Sequence, residues 1–117
     1  MNALVLGPMV DFRVDASIEI GTGHVVRCLT LAKALGNLGV RCRFICRPHN
    51  GNMLDEITAQ GFTALALPTL RSDATTMGGT FAHASWLATT AEQDAEETID
   101  IMKTNLPNWV VVDHYGI

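Results

Sequence analysis

Two short stretches hold the residue types that could do chemistry. The first is Glu19-Ile20-Gly21-Thr22-Gly23-His24-Val25-Val26-Arg27. Two glycines separated by one residue let the backbone turn sharply and approach a ligand with no Cβ atom in the way. A helix that starts at Gly23 or His24 would point free N–H groups, and the positive end of its dipole, at that ligand. Phosphate is the usual guest at such a place. His24 would stand at the mouth, where an imidazole can exchange a proton near neutral pH. The combination points to chemistry on a phosphorylated or nucleotide-bearing substrate. The bland alternative is a structural turn, with His24 bonded to nearby backbone. The second stretch is Asp113-His114-Tyr115-Gly116, which follows the apolar run Trp109-Val110-Val111-Val112. His114 and Tyr115 could be packed side chains or ligand contacts, and the choice depends on where the fold puts them.

The elements that must position these residues alternate. Residues 10–15 read as a strand, with Phe12 and Val14 alternating with Asp11, Arg13 and Asp15. A central parallel strand is normally more apolar than this. After the glycine turn, which contains Ser17, the positions Val25, Val26, Leu29, Ala32, Leu35 and Leu38 mark a helix face, and Gly39 is a natural stop. Residues 40–46 form a second strand with Val40, Cys42, Phe44 and Cys46 on one face. Residues 53–60 form a short helix with Met53, Leu54 and Ile57 apolar and Gly61 ending it, and 62–67 form a third strand. Residues 69–88 read as a long loop around Gly78-Gly79, with a helical turn near 81–87. Thr90 reads as an N-cap with Gln93 as its capping-box partner. That helix runs to about Asn105, with Ala91, Ala95, Thr98, Ile99 and Met102 inward and the acidic run 92–97 as a solvated face. Residues 109–113 form a strand buried on both faces.

This order predicts an α/β fold, a Rossmann-like parallel sheet with flanking helices. The doubly wound strand order would be 3-2-1-4. Ligands bind outside the carboxyl ends of the strands, where that order reverses. The reversal lies between the first and fourth strands. Both chemical stretches leave the sheet there, so they should meet in one crevice. Arg13, Asp15 and Arg27 fall near it. Arg27 could pair with Asp15 or Glu19, or touch substrate.

Composition excludes several classes. At 117 residues the chain is long enough for one ordinary domain and too short for two. With 48% hydrophobic and 17% charged residues it is globular rather than disordered. A net charge of -4 with no basic run argues against nucleic acid as the main partner. Residues 1–9 read as an N-terminal extension. They lack a basic start, and Pro8 ends the apolar run far short of a membrane span. An odd number of cysteines, three, suits reduced thiols and the cytoplasm. Cys42, Cys46 and His49 only faintly resemble a metal set, because both cysteines share a strand face with Phe44. A dinucleotide fingerprint fails: Val26 replaces the third glycine, and Arg47 stands where an acid would end the second strand.

Four groups of residues together resemble a known family. They are Phe12-Arg13-Val14-Asp15-Ala16-Ser17, Gly21-Thr22-Gly23-His24 with Arg27-Cys28-Leu29, Phe44-Ile45-Cys46-Arg47, and Val112-Asp113-His114-Tyr115-Gly116. The set resembles the N-terminal half of the UDP-sugar hydrolases of pseudaminic-acid biosynthesis and the related spore-coat polysaccharide proteins. The resemblance covers residues 10–117, which would be the N-terminal Rossmann-like domain. It implies a GT-B type fold of two such domains with a cleft between them. The implied reaction is hydrolysis of a UDP-2,4-diacetamido-2,4,6-trideoxyhexose to UDP and free sugar, with no metal and no cofactor. His24 would position or activate the water, and Tyr115 would line the same site. The substrate would lie against Arg13, Asp15, Ser17, Gly21, Thr22, Gly23, Arg27, His114 and Gly116.

Two other readings compete. A GT-B glycosyltransferase would pass the sugar to an acceptor hydroxyl. A non-catalytic domain would hold a sugar nucleotide without turning it over. The family carries most of its UDP contacts in a C-terminal domain beyond these residues, so the chain is expected to be a truncated piece. We therefore expect the 117-residue chain alone to bind UDP-sugar poorly and to hydrolyse it slowly or not at all. Measurable turnover by this chain at ordinary enzyme concentration would contradict that expectation.

Overall fold

A computed structural model of the chain describes residues 7–69 and 89–114. The elements are β1 (Met9–Val14), α1 (Gly23–Gly36), β2 (Arg41–Cys46), α2 (Leu54–Ala59), β3 (Thr63–Ala66), α3 (Ala91–Met102) and β4 (Trp109–Asp113). The four strands form one all-parallel sheet in the order β3-β2-β1-β4. This is the Rossmann-like arrangement and strand order that the alternating pattern predicts. β1 starts one residue earlier than expected. Met9 is buried and pairs with Arg41, so the ninth residue belongs to the sheet rather than to an extension. The expected long loop lies, from residue 70 onward, outside the described residues.

Alternate residues of a strand point to opposite faces, and in β1 the two faces differ sharply. Val10, Phe12 and Val14 pack with Cys42, Phe44 and Cys46 of β2 against Val25, Cys28, Leu29 and Ala32 of α1 and Ile57 of α2. The Phe12 and Phe44 rings stack at 4.9 Å. The buried stripe of α1 is thus 25, 28, 29, 32, at helical spacing. Val26 and Leu38, expected inward, are exposed, and Cys28 takes the place the pattern gave to Val26. Helix α1 stops at Gly36, and Gly39, with φ +84°, turns the chain into β2.

The other face of β1 carries charge, and α3 covers it. Asp11 is fully buried and takes a bidentate pair from Arg43, its partner in the β1–β2 register, at 2.7 and 2.6 Å. Arg13 reaches Asp94 of α3 at 2.9 and 2.6 Å, and Arg47 joins the same carboxylate. Glu97 accepts a further bond from Arg47. Below this lies a small apolar cluster of Ile45, Leu67 and Met102.

These contacts overturn two expectations for α3. Ala91, Ala95 and Ile99 are exposed; the inward residues are Asp94, Thr98 and Met102, with Glu97 half-buried. The acidic run is therefore not wholly a solvated face. The helix is rotated because two buried guanidinium groups need carboxylate partners, and that demand exceeds the gain from covering Ile99. The N-cap expectation holds, since Thr90 Oγ1 accepts from the Gln93 amide at 3.0 Å. Its reciprocal half does not, because the Gln93 side chain donates to Glu97. Strand β4 also departs from expectation. Trp109, Val110 and Val112 are exposed, because among the described residues no element packs over this edge strand beside β1.

Removing Asp94 should leave Arg13 and Arg47 short of a buried partner. We expect Asp94→Ala to cost about 3–5 kcal/mol of stability. Glu92→Ala, on the exposed side of the same helix, should stay within about 0.5 kcal/mol. Urea unfolding midpoints of the two variants check this, and equal midpoints would contradict the buried network.

Candidate functional site

The glycine turn begins where β1 ends. Ser17 closes it on itself: its Oγ accepts from the Ile20 amide and its carbonyl from the Gly21 amide, both at 2.8 Å. Gly21 has φ +85°, a conformation that side chains with a Cβ rarely adopt. Gly23 is different. Its φ is not positive, and a Cβ built there would meet none of the described residues within 4 Å. Among the described residues, nothing requires glycine at position 23. Thr22 is the N-cap of α1 but makes no side-chain cap bond, and the first turn carries no acidic residue. The opening amides of α1 are thus not engaged by the usual capping oxygen.

His24 stands in this first turn, and β4 supplies its partner. Its Nδ1 lies 2.8 Å from Asp113 Oδ1. Arg27 donates to both oxygens of Asp113, from Nε and Nη2, each at 2.6 Å. Cys28 Sγ approaches Oδ2 at 3.7 Å. Arg27, left open between Asp15, Glu19 and substrate, is therefore bound to Asp113. Its hydrogen bonds do most to hold the Asp113 carboxyl well below the usual carboxylate range; burial opposes this and His24 assists. Burial and the Asp113 charge push the Cys28 thiol up to about 12, so it remains a donor.

A second carboxylate, Asp15, anchors the floor. It accepts from Arg13 Nη1 at 2.7 Å, from the Arg47 amide at 2.7 Å, from His49 Nε2 at 3.1 Å and from His114 Nε2 at 3.0 Å. Burial is the strongest influence on Asp15 and opposes its charge. The bonds from His114, His49 and Arg13 together outweigh burial and hold the carboxyl far below its ordinary range. The ends of β1, β2 and β4 therefore converge on one side chain.

The two chemical stretches, remote in sequence, do meet outside the carboxyl ends of β1 and β4. No family model matches the chain. The chain is similar to the UDP-2,4-diacetamido-2,4,6-trideoxy-beta-L-altropyranose hydrolase of Campylobacter jejuni, 27% identical over 108 residues. The match takes in 92% of this chain and 28% of that protein, so the chain spans little more than a quarter of the relative's length. That likeness supports a related family.

The expected site residues thus fall into groups. His24, Gly21, Thr22, Gly23 and Arg27 surround the open turn. Ser17 braces it from within. The side chains of Arg13, Asp15 and His114 are all but fully buried and bind one another through Asp15. Tyr115 and Gly116 lie outside the described residues. Three polar residues escaped the sequence reading: Asp113 as the partner of His24, His49 as a ligand of Asp15, and Asp94. The charged alternation Asp11-Arg13-Asp15, odd for a central strand, was the available sign that an ionic layer lay beneath a helix. Nothing in the local pattern marked His49.

Other sites fare worse. A cavity of about 430 Å³ opens at the opposite, amino end of the strands, lined by Met9, Val40, Arg43, Phe62 and Asn105 among others. Its Arg43 is committed to Asp11. Among the described residues, no group of three or more His, Cys, Asp or Glu is placed to hold a metal ion, and no helix is long and apolar enough to cross a membrane. All three cysteines are free, buried thiols.

Because the folded-state pKa of Asp15 is depressed, its contribution to stability is complete above the unfolded value of about 3.9. It is lost as pH falls through the lower folded value. Asp15→Asn should therefore cost about 3–5 kcal/mol at pH 7. It should also flatten the fall in stability below about pH 4. Urea unfolding of both proteins at several pH values checks this, and parallel pH profiles would contradict it.

Proposed function

We propose that this chain forms the part of a UDP-sugar hydrolase that carries the water-activating base. The substrate would be a UDP-2,4-diacetamido-2,4,6-trideoxyhexose. The observation that carries the reading is His24, held by Asp113 in the first turn of the helix that follows the glycine turn. The likeness to the Campylobacter hydrolase over 92% of the chain supports the choice of substrate class.

The chemistry balances with few parts. Water attacks the anomeric carbon as the bond to the diphosphate oxygen breaks, and that bond's electron pair leaves with UDP. His24 takes a proton from the water and later returns it to solvent. Diphosphate is a good leaving group and needs no strong general acid. The amides of the glycine turn and the start of α1 stabilise the charge that develops on it. Arg13, Asp15 and His114 hold the crevice floor, and Tyr115 is proposed to line the same site. A second domain would supply the uridine contacts.

The test is UDP release from such a sugar nucleotide with no acceptor added, by the protein that contains this chain and by its His24→Ala variant. We expect steady release, reduced about 10²- to 10⁴-fold by the substitution. Release only after a hydroxyl acceptor is supplied would make the protein a glycosyltransferase. Binding with no release under either condition would leave a non-catalytic sugar-nucleotide domain.

A further inference from the structure

We infer that Asp113, braced by Arg27, is the positioning residue of His24: it fixes the imidazole as the Nδ1–H tautomer and so places the basic lone pair on Nε2. This rests on the reading of His24 as the base, and it adds which nitrogen does the work and what decides it.

The contact between His24 Nδ1 and Asp113 Oδ1 is 2.8 Å. A carboxylate is only an acceptor. A bare ring nitrogen at that distance would set two lone pairs against each other, so Nδ1 carries the hydrogen. A neutral imidazole has one N–H, and Nε2 is then the acceptor. The opposing possibility is also visible. Arg27 Nη2 lies 3.2 Å from the same Nδ1, and a guanidinium can only donate. Were Nδ1 accepting from Arg27, Nε2 would hold the hydrogen and His24 could not take a proton there. Two comparisons of distance decide between them. Arg27 Nη2 is nearer to Asp113 Oδ1, at 2.6 Å, than to the ring, and the carboxylate is nearer to the ring than Arg27 is.

The clamp is built from one face of a helix. His24, Arg27 and Cys28 are spaced so that all three reach Asp113 from the first turns of α1. Arg27 holds both carboxylate oxygens in its fork, which sets the plane of the carboxylate and hence the direction in which the ring must lie. Asp113 is the last residue of β4, so the ring is referred to the sheet and not to its own flexible side chain. The side chains of His24 and Asp113 are mostly buried, at 11% and 16% exposure, whereas Arg27 reaches outward at 61%. The bond that sets the tautomer is thus partly shielded from water, while its brace is not.

The test reads the tautomer directly. Long-range proton–nitrogen NMR of the histidine ring distinguishes a protonated nitrogen from a bare one, and it can be run on the 117-residue chain without any substrate. In the wild type we expect His24 Nδ1 to be protonated and Nε2 bare. A protonated Nε2 with bare Nδ1 would overturn the inference, whatever the protein catalyses. In Asp113→Ala the ring should shift toward the Nε2–H form or a mixture. If that variant does not fold, the wild-type spectrum still decides. Where UDP release has been established, Asp113→Ala should lower kcat about 10²- to 10⁴-fold with KM close to wild type. Asp113→Glu should recover part of the loss. A lowered kcat with an unchanged tautomer would assign Asp113 some other role. No UDP release from any variant, with Nδ1 protonated, would sink the hydrolase reading and leave the clamp standing.

Discussion

The buried carboxylate of Asp15 is the constraint on which the rest depends. It sits at the carboxyl end of the central strand and is bound by side chains from β1, from the loop after β2 and from the end of β4. A charge there is tolerable only while those partners remain in place, since an unpaired buried carboxylate costs several kcal/mol. The partners are themselves constrained. Arg13 also answers to Asp94 on α3, and Arg47 to Asp94 and Glu97. One face of the sheet is therefore held by apolar packing, around Phe12 and Phe44, and the other by a chain of ion pairs. The ionic face is the more demanding in geometry, and Asp15 carries it to the carboxyl ends of the strands. The contacts that hold Asp15 are thus linked through Arg13 to those that hold α3 on the sheet.

Much of this was legible in the residue pattern, for reasons that differ by element. The inward face of β2 and, apart from Val26 and Leu38, the face of α1 follow from spacing, because apolar burial is periodic and depends little on distant partners. The strand order followed from alternation of strands and helices, and with it the meeting of the two chemical stretches. What could not be read were pairings across long separations. Asp94 looks like any acidic residue in an exposed first turn until Arg13 is known to lie beneath it. His49, in a loop after Arg47-Pro48, has no local mark of its attachment to Asp15. The exposure of Trp109, Val110 and Val112 on β4 contradicts an apolar run that reads as doubly buried. Hydrophobicity says that such a strand would gain from cover, not that cover is present.

The site separates two tasks. Asp15 is bound by His49 and His114, and Asp113 with Arg27 holds the imidazole of His24 in the first turn of α1. The two carboxylates act on opposite faces: Asp113 turns toward α1, while Asp15 reaches the ion-pair layer. A change in α3 could therefore disturb stability strongly and leave the His24 clamp in place, whereas a change at Asp113 would do the reverse.

Ligand is proposed to meet this chain at the carboxyl ends of β1 and β4. Amide chemical-shift mapping tests this as a UDP-sugar is titrated into the nitrogen-labelled protein, since even weak binding moves amide signals. The largest shifts should fall on Gly21, Gly23, His24, Asp113 and His114. Shifts gathered instead around Val40, Phe62 and Asn105, at the opposite cavity, with the glycine turn unmoved, would contradict it.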